Sequence, residues 1–223
     1  MIRIERVSKQ FGPVRALRDI SLQIESGERV AFVGSNGSGK TTLLRALLGL
    51  SRVTGSIQIA GHDVAKHPEL ALQHVAYVPQ IAPLLEAPVS EVTSAYAALR
   101  GIGEPLIEQH AYLMGLSLRE LSGVRFRDLS GGMKQKLLAA LALATPAQIL
   151  VCDEPTSNLD AAARQAFFGA IAQRAPGSIL LLCSHREEEV QSFVERVVEL
   201  RDGSVARDEY RIQHSTARLQ VVS

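Results

Sequence analysis

Two hydrophobic periods alternate along the chain. Near the start, Ile2 and Ile4 alternate with Arg3 and Glu5, and Ile20, Leu22 and Ile24 alternate with Ser21 and Gln23. That two-residue period predicts strands, and Phe11-Gly12-Pro13 and Ser26-Gly27-Glu28 supply turns between them. Arg29-Val30-Ala31-Phe32-Val33 is an apolar run of buried-strand length, and Leu43, Leu44, Leu47 and Leu48 then recur at helical spacing within residues 40–50. Residues 55–61 read as a strand bounded by glycines, and residues 74–79 as a strand ending at Gln80.

After Gln80 the strand period vanishes until Leu129. Helical windows appear at 89–99 and 105–114, with Pro83, Pro88, Gly101, Gly103 and Pro105 at the joints. This predicts an inserted, mostly helical lobe over 81–128. The alternation then resumes: a helix over 133–144, apolar almost all round; a buried strand over 149–152; a helix over 161–174. A buried strand over 178–183, a helix over 187–194 and a hairpin near Arg201-Asp202-Gly203-Ser204 complete it. Apolar strands alternating with helices imply an α/β fold, a mostly parallel sheet covered on both faces. Residues after Arg207 are polar and weakly patterned, and read as a loose tail or a strand that needs a partner.

Between the strand at 29–33 and the helix that follows lies Gly34-Ser35-Asn36-Gly37-Ser38-Gly39-Lys40-Thr41-Thr42. It fits the phosphate-binding pattern G-x-x-x-x-G-K-[ST] at every fixed position, in the strand–loop–helix context the mechanism needs. The glycines let the backbone curl around an anion, and the helix N-terminus adds partial positive charge. Lys40 is placed to reach the β and γ phosphates and Thr41 to ligate Mg²⁺.

Three further features sit where nucleotide hydrolysis needs them. Asp153-Glu154 directly follows the strand at 149–152; Asp153 suits the Mg²⁺ shell and Glu154 the polarisation of an attacking water. Ser130-Gly131-Gly132 opens the helix to residue 144, and a Ser with two bare glycine N–H groups there makes a second phosphate cradle. Two cradles for one phosphate tail are most economically explained by a two-fold dimer, each copy closing the other's nucleotide. His185 falls at the carboxyl end of the strand at 178–183, the side where open α/β sheets bind ligands, and can donate to a γ-phosphate oxygen.

Composition narrows the classes. With 24 Lys+Arg against 23 Asp+Glu, the net charge of +1 gives no bulk drive towards nucleic acid or an anionic membrane. The longest uninterrupted apolar run, residues 137–144, is far short of the about 20 a spanning helix needs. The charged opening Met1-Ile2-Arg3-Ile4-Glu5-Arg6 has no secretory apolar region. A soluble, cytoplasmic protein is therefore expected, with any membrane spans supplied by a partner. Cys152 and Cys183 lie in apolar strands and read as buried thiols, and His62, His67 and His74 lack metal-ligand spacing.

Taken together, residues 1–207 resemble the ATP-binding subunit of an ABC transporter. Residues 34–42 are similar to the Walker A loop, 149–154 to the Walker B strand with its general base Glu154, and Leu129-Ser130-Gly131-Gly132-Met133-Lys134-Gln135 to the ABC signature. Gln80 matches the Q-loop glutamine, which touches Mg²⁺ and faces the membrane partner. Ser157-Asn158-Leu159-Asp160 matches the D-loop at the dimer seam, His185 the switch histidine, and Phe11 the aromatic stacked on adenine.

The resemblance implies a P-loop ATPase core with a mostly parallel sheet, an antiparallel β subdomain and an inserted helical subdomain. The core with its β subdomain would span 1–80 and 129–207, the lobe 81–128, and a short tail 208–223. It also implies ATP and Mg²⁺ as ligands, and a homodimer, or a heterodimer with a related ATPase, on a transmembrane permease. The subunit would sit on the inner face of the cell membrane through that permease. Met133 in place of the commoner Gln of the signature resembles exporters, as does the lack of a carboxy-terminal regulatory domain; an importer subunit or a soluble assembly ATPase is the alternative. Lys136, where the family often has Arg, is expected to matter little.

Overall fold

The computed structural model describes residues 1–211. Strands β1 (Ile2–Phe11) and β2 (Val14–Ile24) form a hairpin, and β3 (Arg29–Val33) leads through loop 34–39 into α1 (Lys40–Leu47). Then come β4 (Thr54–Ile59), β5 (His62–Asp63), a short α2 (Pro68–Leu72) and β6 (Val75–Val78). Helices α3 (Val89–Arg100) and α4 (Glu104–Leu113) precede a 3₁₀ turn, Phe126–Asp128, and α5 (Gly131–Ala144). The chain continues through β7 (Ile149–Asp153), α6 (Ala161–Ala172), β8 (Ile179–Cys183) and α7 (Glu187–Phe193) to β9 (Arg196–Arg201) and β10 (Ser204–Tyr210).

These strands build two sheets. One is antiparallel, in the order β2-β1-β4-β5. The other runs β10-β9-β3-β8-β7-β6 and is parallel except for β10, which closes its edge as a hairpin with β9. The expected α/β fold with a mostly parallel sheet is thus present.

The central strands are buried on both faces, which is why they read as unbroken apolar runs. Their side chains alternate between two cores. Ala31, Leu150, Cys152, Leu180 and Leu182 pack under α5 and α6. Val30, Phe32, Ile149, Val151, Leu181 and Cys183 pack towards α1 and the antiparallel sheet. Cys152 and Cys183 are therefore on opposite faces, both free and fully buried, with burial pushing both thiols well above their usual range. Buried alanines 139, 140, 142 and 144 on α5 let neighbouring elements approach closely. Residues 81–128 carry α3, α4 and the 3₁₀ turn, with one isolated bridge, Pro88 to Arg125. Their apolar faces, through Val89, Ala97, Ile107 and Ala111, join the core beneath α5.

Several boundaries differ from the sequence reading by a few residues, and two of them have a visible cause. Helix α5 starts at Gly131 rather than 133, because Ser130 caps it by accepting a hydrogen bond from the Met133 amide at 3.2 Å. Of the two readings left open after Arg207, residues 208–210 take the strand that needs a partner, pairing with β9 beyond the boundary set at 207, and 212–223 lie outside the described residues. The cause is a long-range ion pair. Arg196 on β9, 8% exposed, donates to both carboxylate oxygens of Asp208 at 2.7 and 2.8 Å, to Glu28 at 3.0 Å and to the Gln23 carbonyl at 2.7 Å. Tyr210 also donates to Glu28. The last strand is thereby pinned to β9 and to the end of β2.

Replacing Arg196 by Ala would leave Glu28 and Asp208 facing each other without a cation. A loss of about 3 kcal/mol in urea unfolding is expected. A loss under about 1 kcal/mol, the size of an exposed pair, would show that the clamp contributes little.

Candidate functional site

Loop 34–39 takes its shape from close packing. Gly34 (φ 142°) and Gly39 (φ 108°) adopt backbone angles that side chains disfavour. A Cβ on Gly34 would stand 2.2 Å from the Leu200 carbonyl, and one on Gly39 2.7 Å from that of Ala16. The Gly203 amide donates to the Ser38 carbonyl at 3.1 Å. Residues of β2, β9 and the β9–β10 turn therefore brace the loop from behind.

In front of the loop lies a cleft of about 550 Å³, lined by Asn36, Gly37, Gly39, Lys40, Thr41 and Thr42. Helix α1 opens on it without a side-chain cap and with no acidic residue in its first turn, so its leading N–H groups have no intrahelical acceptor and no competing anion. Helices α5 and α6, by contrast, are capped by Ser130 and Asp160. Lys40 donates to the Gly34 and Ser35 carbonyls at 2.8 and 3.0 Å, stapling the loop. The buried Ser38 hydroxyl has no hydrogen-bond partner.

Gln80, Asp153 and Glu154 form the far wall. Asp153, at the end of β7, is 2% exposed. Burial pushes its carboxyl above the usual range; a hydrogen bond from Thr41 works the other way, and the neighbouring Glu154 raises it further. Glu154 follows in left-handed backbone (φ 49°), its N–H held by the Cys183 carbonyl at 2.8 Å. That turn aims the side chain at His185, whose Nδ1 is 2.7 Å from Glu154 Oε2.

Thr41, Asp153 and Gln80 line the same cleft and offer hard oxygens, a donor set suited to Mg²⁺. No three His, Cys, Asp or Glu side chains among the described residues converge as a metal cluster, so an ion here would share its shell with phosphate oxygens.

Other expected residues stand apart from this cleft in the single chain. Ser130, Gly131 and Gly132 are not in its lining; Gly132 lies against the Asn158 carbonyl, where a Cβ would be 3.0 Å away. The Asp160 carboxylate caps α6, accepting from the Ala163 amide at 2.8 Å, and pairs with Lys136 at 2.7 Å. The Lys136 ammonium holds that carboxyl below its usual range. Lys136, expected to matter little, thus joins the helix of Ser130 to Asp160. Phe11 is 54% exposed beyond the cleft's rim, with the Lys9 ammonium 4.8 Å above its ring.

Sequence reasoning missed Arg15, Arg18 and Asp202, which line the cleft from β2 and the β9–β10 turn. Gln135, named there only as the last residue of the signature, is 1% exposed, and its amide donates to the Pro155 carbonyl at 3.0 Å and the Pro79 carbonyl at 3.3 Å. Gln135 ties α5 to the loops bearing Glu154 and Gln80.

Residues 17–157 match the family described as ABC transporter, and the chain belongs to that family. It is 33% identical over 208 residues to human phospholipid-transporting ATPase ABCA7, covering 91% of this chain and 10% of that protein. It is 33% identical over 196 residues to Nod factor export ATP-binding protein I of Cupriavidus pinatubonensis, 86% of this chain and 60% of the relative. To the Fe(3+) ions import ATP-binding protein FbpC of Rhizobium etli it is 34% identical over 218 residues, 92% of this chain and 60% of the relative. The chain therefore spans between a tenth and three fifths of the length of these relatives.

Among solved structures, the ATP binding subunit of an ABC transporter superposes with a TM-score of 0.82 at 27% identity, over 94% of this chain and 90% of the other. A dimeric ATP-binding cassette in a post-hydrolysis state, bound to ADP and Pi, gives 0.80 at 26% identity, over 94% and 98%.

Because burial raises the Asp153 pKa above its unfolded value, folding takes up a proton, and stability falls as pH rises from the unfolded towards the folded pKa. Asp153→Asn removes that cost. It should raise the melting temperature of the nucleotide-free protein at neutral pH while lowering Mg²⁺-dependent nucleotide affinity. A lower melting temperature would contradict the burial argument.

Proposed function

We propose that this chain binds and hydrolyses ATP as the energy-converting subunit of an ABC transporter. The observation that carries the reading is the Glu154–His185 contact of 2.7 Å, with Glu154 on the wall of a cleft that also holds Lys40, Thr41 and Asp153. The α1 N-terminus and Lys40 bind the β and γ phosphates, and Arg15 and Arg18 add positive charge on the β2 side. Glu154 accepts a proton from the attacking water, and His185 donates to a γ-phosphate oxygen and holds Glu154 in line. Thr41, Gln80 and Asp153 would hold Mg²⁺, which when bound would neutralise phosphate charge.

Two copies close head to tail around two nucleotides, Ser130, Gly131 and Gly132 of each completing the other's site and Asp160 lying at the seam. Two facts support this: those residues lie outside the cleft of a single chain, and a similar cassette is dimeric with ADP and Pi. Residues 81–128 act as a lobe that passes the closing motion to a transmembrane permease. No helix among the described residues is long and apolar enough to cross a membrane, in keeping with a subunit held on the inner face by that partner. Export is the direction favoured by Met133 and by the Nod factor export relative; import is the second reading, favoured by the Fe(3+) import relative.

Glu154→Gln should lower ATP turnover by about 10²–10⁴-fold, the range for a lost general base, while keeping ATP affinity. Lys40→Ala should lose the affinity itself. Phosphate-release assays with nucleotide titrations separate the two, and wild-type turnover in Glu154→Gln would overturn the hydrolytic reading.

A further inference from the structure

Glu189 is the least expected charged residue in the molecule. It sits in a run of three glutamates at the start of α7, yet it is 4% exposed while Glu187 and Glu188 face solvent. Its two carboxylate oxygens go to two different loops. Oε1 accepts from the Thr156 hydroxyl, and Oε2 accepts from the Ser184 hydroxyl at 2.7 Å. Both hydroxyls are buried, Thr156 at 2% and Ser184 at 3% exposure.

Arg164 from α6 and Arg186 stand 3.9 and 3.7 Å from Oε1. Neither Nε has a hydrogen-bond partner, so the guanidinium groups balance the charge without fixing the geometry. The geometry is fixed by the hydroxyls.

Those hydroxyls belong to the roots of the two loops that carry the hydrolytic pair. Thr156 is two residues after Glu154, and Ser184 immediately precedes His185. The Glu154 amide to the Cys183 carbonyl joins the strand ends but not the loops beyond them, and the Glu154–His185 contact joins the side chains whose separation is at issue. Resting on the hydrolytic reading above, we infer that Glu189 is a positioning residue: one carboxylate bridges both loop roots and sets the Glu154–His185 separation. It touches neither Lys40 nor Thr41, so it acts on the chemical step and leaves nucleotide binding alone. Glu189→Gln keeps the shape but replaces one charged acceptor oxygen by an NH2 donor, so one of the two hydroxyls must reverse its role and both lose the charge-assisted bond, which loosens the bridge between the loop roots.

The test measures kcat, KM and ATP affinity for Glu189→Gln, Ser184→Ala, Thr156→Val and the double variant Glu189→Gln/Ser184→Ala, with Glu154→Gln as control. Glu189→Gln should lose kcat by up to about 10²-fold, the cost of a misplacement near 1 Å, with KM and ATP affinity unchanged. The double variant should lose less than the product of the two single losses, because both cut the same bridge. Wild-type kcat in folded Glu189→Gln, or a loss accompanied by an equal loss of ATP affinity, would overturn the inference. Should Glu189→Gln not fold, Ser184→Ala and Thr156→Val decide the matter, and wild-type kcat in both overturns it. Wild-type turnover in the Glu154→Gln control would instead bring down the hydrolytic reading on which this one rests.

Discussion

The close approach of bare backbone at Gly34 and Gly39 is the constraint on which the site depends. The loop can curl in front of α1 only because nothing projects towards the carbonyls of Leu200 and Ala16. Those two carbonyls come from different sheets, β9 of the central one and β2 of the antiparallel one. The phosphate loop is therefore the place where the two sheets are keyed together, and Gly203 closes the same seam through the Ser38 carbonyl. Arg15, Arg18 and Asp202 reach the cleft because the elements bracing the loop also form its rim.

From that joint the parallel topology places the remaining chemistry. The carboxyl ends of β3, β6, β7 and β8 lie along one sheet edge, delivering the loop, Gln80, Asp153 with Glu154, and His185 to the same side. Side chains on the two faces of those strands are locked in separate apolar cores, so the strand ends move little relative to one another. Fine adjustment falls to short polar ties: Glu154 to the Cys183 carbonyl, Gln135 to the carbonyls of Pro79 and Pro155, and Glu189 to Thr156 and Ser184.

Much of this was legible in the chain because local pattern governs it. The buried strands announce themselves as apolar runs, and the loop residues 34–42 have a spacing that leaves little choice of conformation. Residues whose roles depend on long-range partners were not legible. Asp208 and Tyr210 look like tail residues until Arg196 and Glu28 are beside them. Lys136 looks interchangeable until Asp160, at the start of the next helix, supplies its partner. Glu189 is indistinguishable in sequence from Glu187 and Glu188, and only the packing of α7 against the strand ends selects it. Arg15 and Arg18 precede the alternation of Ile20, Leu22 and Ile24 that marks β2, and nothing local says that they line the cleft.

The central claim is that one chain's Ser130 completes another chain's phosphate site. Both native cysteines are fully buried, so introduced thiols can be crosslinked without background. The direct measurement mixes Ser130→Cys protein with Asn36→Cys protein and follows intermolecular disulfide formation with and without ATP and Mg²⁺. A disulfide-linked dimer that forms between the two variants and depends on ATP is the predicted result. No crosslink with ATP, or the same crosslink without it, would contradict the shared site.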